Sequence, residues 1–206
     1  MKLYFAETIN GRKACAAAKY LVAPVEFVRV DIGRGEQRKP SFIAKNPNGR
    51  VPVLEIDDQT LWESNAIMCR LSQATGSDFW PQDHRQIEVM RWMFWSSEHF
   101  SRHASRLYFE RLVKPLFDLG PADTTLVEES SRFVRRFGQV LDDHLRGRDF
   151  LVGDRPTAAD FAVGAALPYA EDARIPLEGF GEIARWKARL DALPAWRDPF
   201  PAKIAA

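Results

Sequence analysis

Asn46-Pro47-Asn48-Gly49-Arg50-Val51-Pro52-Val53-Leu54, with Glu63-Ser64 opening a helical pattern soon after, is the most informative run in this 206-residue chain. Pro52 begins a strand-like segment, where a residue without an N–H cannot donate to the ladder. A Val-Pro bond is also one that can be cis at modest cost. Either feature leaves the N–H and C=O of Val51 facing outward, and such a pair takes up an extended peptide as an added strand would. Ser64 stands at a helix start, where unpaired N–H groups favour a carboxylate. The run therefore reads as a small peptide site, with an edge for main chain and a helix end for an acidic terminus. A turn, a hairpin and a capped helix with no ligand would show the same residues.

Upstream, the chain alternates element types. Lys2 to Phe5 is strand-like, Gly11 to Leu21 is alanine-rich and helical, and Val25 to Val30 alternates as a half-buried strand should. Arg34 to Lys39 is a polar, glycine-bearing loop, followed by a short helix at Ser41 to Ala44. Val53-Ile56 and Thr60-Trp62 flank the turn Asp57-Asp58-Gln59, and the helix from Ser64 to Thr75 stops at Gly76. The order is βαβ, a connecting helix, ββ, then α. A right-handed crossover makes the first two strands parallel, and the hairpin adds antiparallel strands. This predicts a four-stranded mixed sheet in an α/β domain over residues 1–78.

Beyond Asp83 the pattern is all-helical, giving a second domain over 84–206. Helices are expected from His84 to Phe109, Asp123 to Leu145, Thr157 to Tyr169 and Phe180 to Leu193. Gly153-Asp154-Arg155-Pro156-Thr157-Ala158-Ala159-Asp160 places Thr157 at a helix N-cap and Asp160 three residues on, a capping box with an acidic partner. The helix behind it has almost no polar face and reads as buried. Thr157 and Asp160 are therefore expected to serve folding rather than catalysis.

Composition narrows the possibilities. The net charge is +1, from 29 basic and 28 acidic residues, so no electrostatic case for nucleic acid arises. No apolar run approaches the roughly 20 residues that cross a bilayer, so no membrane role is expected. Met1 leads directly into a strand pattern without a signal peptide's apolar stretch. The two cysteines, Cys15 and Cys69, are widely separated, which suits a reducing cytoplasm better than a disulfide framework. The four histidines, His84, His99, His103 and His144, show no zinc-ligand spacing, so no metal is expected.

Arg50-Val51-Pro52-Val53-Leu54, Glu63-Ser64-Asn65-Ala66-Ile67 and the segment from Gly153 to Asp160, on this layout, resemble a cytosolic glutathione transferase over essentially the whole chain. The resemblance implies a thioredoxin-like N-terminal domain, a helical C-terminal domain, glutathione as co-substrate and a homodimer acting in detoxification. It makes Pro52 the family's cis proline and pairs Val51 with the cysteinyl backbone of glutathione. Glu63 would hold the γ-glutamyl ammonium and Ser64 its carboxylate. Lys39 lies where bacterial members keep a basic residue for the glycyl carboxylate; Arg38, Gln37 and Arg50 are its rivals.

The resemblance puts a thiol-activating residue after the first strand, where this chain has Glu7-Thr8-Ile9-Asn10-Gly11-Arg12-Lys13. The stretch is similar to the Thr-x-Asn-Gly-x-Lys pattern of bacterial transferases, although Ile9 replaces the proline usual there. It implies Asn10 and Thr8 as the sulfur's neighbours, with Cys15 as a rival nucleophile. A second substrate, a small electrophile, is expected against the long helix. Trp95, His99 and Arg102 fall there on one face at i, i+4 and i+7. Two alternatives stay open beside thiolate transfer: glutathione-dependent disulfide or peroxide reduction, and a non-enzymatic binding module on the same fold.

Overall fold

The computed structural model describes residues 1–202. They form two compact units, one of Met1–Trp80 joined by the chain from Ala192 onward, the other Pro81–Asp191.

The first unit holds β1 (Lys2–Phe5), α1 (Ile9–Tyr20), β2 (Glu26–Arg29), α2 (Pro40–Ile43), β3 (Val53–Ile56), β4 (Gln59–Trp62) and α3 (Ser64–Ala74). The strand order is β2-β1-β3-β4, with β1 and β2 parallel and the other neighbours antiparallel. This is the mixed sheet expected of a thioredoxin-like domain. Side chains alternate across it. Leu3 pairs with Leu54 in register, and both are fully buried. On the other face Tyr4 and Val53 join Val30, Phe42 and Val51 in a separate cluster beneath the Asn46–Leu54 run. Each such apolar side chain contributes about 1.5–3 kcal/mol by burial.

Helix α1 is buried on nearly every side, and Ala14, Cys15, Ala16 and Ala17 have no exposed surface. Small side chains let it lie close to both the sheet and α3. Its start is fixed by Thr8, whose hydroxyl accepts the Gly11 N–H at 3.0 Å. Gly11 is obligatory here, because a Cβ would collide with the Ala6 carbonyl oxygen.

The expected division gave everything from 84 onward to the helical domain, and the chain's last segment departs from it. Pro194 starts a further short helix, α10 (Pro194–Arg197), with Pro at a first-turn position that needs no N–H. Trp196 of this helix is fully buried. The Arg12 guanidinium donates to the Trp196 carbonyl and lies 5.0 Å from the centre of its indole ring. Lys19 donates to the Asp198 and Phe200 carbonyls at 2.7 and 2.8 Å. Residues 203–206 lie outside the described residues.

The second unit comprises α4 (Arg85–Trp95), α5 (Ser101–Tyr108), α6 (Lys114–Leu116), α7 (Thr124–Leu145), α8 (Ala158–Gly164) and α9 (Gly181–Asp191). The helix expected from His84 to Phe109 carries a π turn at Ser96–Phe100, and a second follows at Phe109–Val113. Buried Ser96 and Ser101 lie 2.6 Å apart at the first turn. Their hydroxyls reach the Ala162 carbonyl, at 3.2 and 3.5 Å, near the end of α8, whose last carbonyls lack intrahelical partners. Helix α8 ends at Gly164 rather than running to Tyr169, because Pro168 offers no N–H to continue it; a 3₁₀ turn covers Leu167–Tyr169 instead. Asp142 of α7 accepts the Glu182 and Ile183 N–H groups at 2.9 and 3.0 Å and so caps α9 from outside.

Candidate functional site

A cavity of about 320 Å³ opens in the first unit between the start of α1, the run before β3 and the start of α3. Val51, Pro52, Glu63, Ser64 and Asn10 line it, together with Asn46, Asn48 and Arg50. The Val51-Pro52 peptide is cis. The β1–β3 register ends at Tyr4 opposite Val53, so Val51 stands outside the ladder. Glu63 sits at φ 72° and ψ 111°, in the left-handed range that non-glycine residues seldom occupy. Such a conformation costs of order 1–3 kcal/mol and clusters at functional sites. No side chain caps α3. Its first-turn N–H groups have no intrahelical acceptor and present partial positive charge. Buried Ser64 donates its hydroxyl to Asn10 Oδ1 at 3.3 Å. That bond fixes the amide by its oxygen, so Asn10 Nδ2 remains a donor.

Asn46 orders the loop, a role that was readable from the Asn-Pro-Asn-Gly turn chemistry but not assigned from it. Its amide donates to the Arg50 carbonyl at 2.7 Å, and its Oδ1 accepts from the Asn48 N–H at 3.0 Å. This holds Arg50 at the cavity.

Two expected members stand apart. Thr8 does not line the cavity; its hydroxyl is engaged as the α1 cap, so its effect on the cavity runs through the helix start. Lys39 is exposed, pairs with Glu36 at 2.9 Å and does not line the cavity, whereas Arg50 does. The short loop turns Lys39 toward its own acid at i, i+3, and Arg50 is the basic residue brought to the site. Cys15 is fully buried, and burial pushes its thiol up to about 12, which leaves it protonated at neutral pH and unsuited to nucleophilic attack. Cys69 is likewise raised to about 12.

In the second unit, His99 and Arg102 line a separate groove of about 460 Å³. The His99 ring stacks on Phe137 at 4.8 Å, and His103 stacks on Phe133 at 4.4 Å. Trp95 does not line this groove; it packs on Phe100 and Phe137. Trp95 still meets His99 edge to face at 6.3 Å, and both rings pack on Phe137, so Trp95 backs the groove that His99 and Arg102 line.

Known proteins resemble this chain in both of its units. Residues 1–71 match the glutathione S-transferase N-terminal domain, and residues 98–194 match the C-terminal domain. Glutathione S-transferase 3 of Zea mays is 33% identical over 84% of this chain and 80% of its own length. The chain belongs to the glutathione S-transferase family. A solved structure described as a possible glutathione S-transferase from Rhodopseudomonas palustris shares 33% identity, covering all of this chain and 92% of that one, with a TM-score of 0.86. The disulfide-bond oxidoreductase YfcG of Escherichia coli is 24% identical over 94% of this chain and 91% of its own.

In this family member the expected capping residues occupy the core of the second unit. Asp160 has no exposed surface. Its Oδ1 accepts from the Leu151 N–H at 2.9 Å and the Trp186 indole N–H at 3.0 Å, and its Oδ2 from the Thr157 N–H at 2.8 Å and hydroxyl at 2.9 Å. Burial pushes the Asp160 pKa up, and these donors pull against that shift. The link to Trp186, on α9, was not legible from the local motif, because it spans 26 residues.

Proposed function

We propose that this chain binds glutathione in the cavity of its first unit and transfers the thiolate to a small hydrophobic electrophile. The observation that carries the reading is the uncapped first turn of α3, which opens into the cavity with Ser64 held against Asn10. In this reading the α3 N–H groups and Ser64 hold the γ-glutamyl carboxylate, and Glu63 holds its ammonium. Val51 pairs with the cysteinyl main chain beside Pro52, and Arg50 rather than Lys39 meets the glycyl carboxylate. Asn10 Nδ2 donates to the sulfur, while Thr8 keeps the α1 N-terminus aimed at it.

The chemistry asked of these groups is modest. A free thiol with a pKa of about 8.5 is only a few per cent ionised at neutral pH. A drop of about two units, worth roughly 2.7 kcal/mol, makes most of it thiolate. An amide donor and a helix end supply that without a general base, the proton leaving to solvent as glutathione binds. The sulfur lone pair then forms the C–S bond while the leaving group departs with its electrons. His99 and Arg102 are the proposed contacts for the electrophile; H99A and R102A are expected to raise its KM and leave that for glutathione unchanged. We further infer a cytoplasmic homodimer of the bacterial Thr/Asn type, with a role in detoxification.

A second reading is glutathione-dependent disulfide reduction, favoured by the thiol loop, which offers Thr8 and Asn10 in place of a cysteine, and by the likeness to YfcG. With Cys15 and Cys69 both protonated, such a reaction would run on glutathione sulfur alone. Two glutathiones would supply two electrons and two protons to the substrate disulfide and leave as glutathione disulfide. Turnover on a nitroaryl halide compared with turnover on a small disulfide separates the readings. Faster conjugation supports transfer, faster disulfide loss supports reduction, and neither, with no retention on immobilised glutathione, overturns both.

A further inference from the structure

Lys13 lies on α1 one turn beyond Asn10, and only 8% of it is exposed. Its ammonium offers three donors. Among the described residues it makes one hydrogen bond, to Asn65 Oδ1 at 3.4 Å. Asn65 follows Ser64 in the first turn of α3, and Glu63 precedes it. Lys13 and Asn10 thus approach the same helix end from one face of α1, Asn10 through Ser64 and Lys13 through Asn65.

A buried ammonium with so few partners is costly unless an opposite charge stands nearby. The acid that acts on it is Glu63. Other charges on the packed elements are turned elsewhere. Arg12 faces the Trp196 carbonyl, Lys19 faces Asp198 at 3.8 Å, Lys2 of β1 acts on Glu55, and Arg70 of α3 lines the hollow beside β4. Glu63 is itself exposed at the cavity. A ligand that brings its own ammonium to Glu63 takes away part of the charge that balances Lys13, and a ligand carboxylate at the α3 N-terminus restores it.

We propose that Lys13 is a positioning residue of the candidate site, a buried countercharge behind the α3 N-terminus that strengthens the hold on the ligand's carboxylate. The proposal rests on the glutathione reading given above. It adds a cation that does not touch the ligand and that titrates near working pH, since burial lowers the Lys13 pKa from 10.5 to about 8. The ligand carries net negative charge, so its affinity should fall as Lys13 loses its proton.

Calorimetric binding of S-methylglutathione, which has no ionisable thiol, to wild type, K13R and K13M between about pH 6.5 and 9.5 tests this. The ligand's amine titrates alike in all three and cancels in the ratio of affinities. The expected result is a wild-type affinity that falls as pH rises through about 8. Relative to K13R, whose profile carries only the ligand's amine titration, wild type should bind equally at neutral pH and progressively more weakly above about 8. K13M should bind about tenfold more weakly than wild type at about pH 6.5, with the gap closing as Lys13 loses its proton. In turnover, K13M should raise the KM for glutathione and leave kcat at saturation within about twofold, as loss of uniform binding requires. Equal affinity of K13M and wild type, with the same pH profile, overturns the role of Lys13 while leaving the site reading intact. No binding to wild type overturns both. Should K13M fail to fold, the wild-type and K13R profiles decide: a ratio of their affinities that stays constant from about pH 6.5 to 9.5 contradicts the proposal.

Discussion

At the scale of single residues, the first unit concentrates groups that have given up local comfort. Glu63 holds a left-handed backbone, Lys13 is a charge out of water, and Asn10 is an exposed amide fixed at one end only. Asn10 is expected to act on the sulfur, so N10A should raise the pKa of bound glutathione by about one unit, roughly 1.4 kcal/mol. Ultraviolet titration of the thiolate reads this, and an unchanged curve removes Asn10 from the role. Lys13 makes a second prediction, on stability. Its folded pKa of about 8 lies below the ordinary 10.5, so between those values the unfolded chain binds more protons. Unfolding free energy from this group therefore rises with pH across that window, by of order 3 kcal/mol in all. Denaturant melts of wild type should show the rise and those of K13M should not. Most of these residues were legible beforehand because turn, cap and helix-start chemistry is local. Arg50 displaced Lys39 because the Asn46 side chain, acting across four residues, sets which basic group reaches the cavity. Lys13 stood in the sequence only as the last member of the Thr-x-Asn-Gly-x-Lys pattern, because nothing local marks it as buried.

At the scale of elements, helix ends explain both what was foreseen and what was not. The capping box at Thr157 was visible as a motif, whereas its use of Trp186 and of the Leu151 N–H required the fold. D160N leaves one or more of four buried donors unmet and should cost about 3–5 kcal/mol, while T157A should cost about 1–2 kcal/mol. Denaturant midpoints at constant m-value check the order, and a D160N loss no larger than that of T157A would contradict it. The π turns were invisible to periodicity, because a pattern at 3.6 residues per turn accommodates one wider turn with a small phase slip. Across that turn Trp95 and His99 stay in contact, both packed on Phe137, while His99 and Arg102 reach the groove. Pro168 was the readable signal that the α8 pattern could not run on to Tyr169, and it was outweighed by an unbroken apolar run.

At the scale of the whole molecule, the order βαβ, then ββα, then helices was readable because strand and helix periods differ and the hairpin turn was well marked. The return of α10 to the first unit was not, since Arg12 and Trp196 are 184 residues apart and each reads locally as surface cation or buried aromatic. We expect a homodimer, and sedimentation at micromolar concentration should give twice the chain mass of 23.5 kDa; a monomer would contradict that expectation. The central claim is that glutathione lies along Val51 and ends at Ser64, and a crystal structure of the protein soaked with glutathione tests it most directly. The account predicts the cysteinyl main chain paired with Val51, the γ-glutamyl carboxylate on Ser64 and the α3 N–H groups, and the sulfur nearest Asn10. Glutathione bound elsewhere, or seated in the cavity with its γ-glutamyl end away from Ser64, would contradict it.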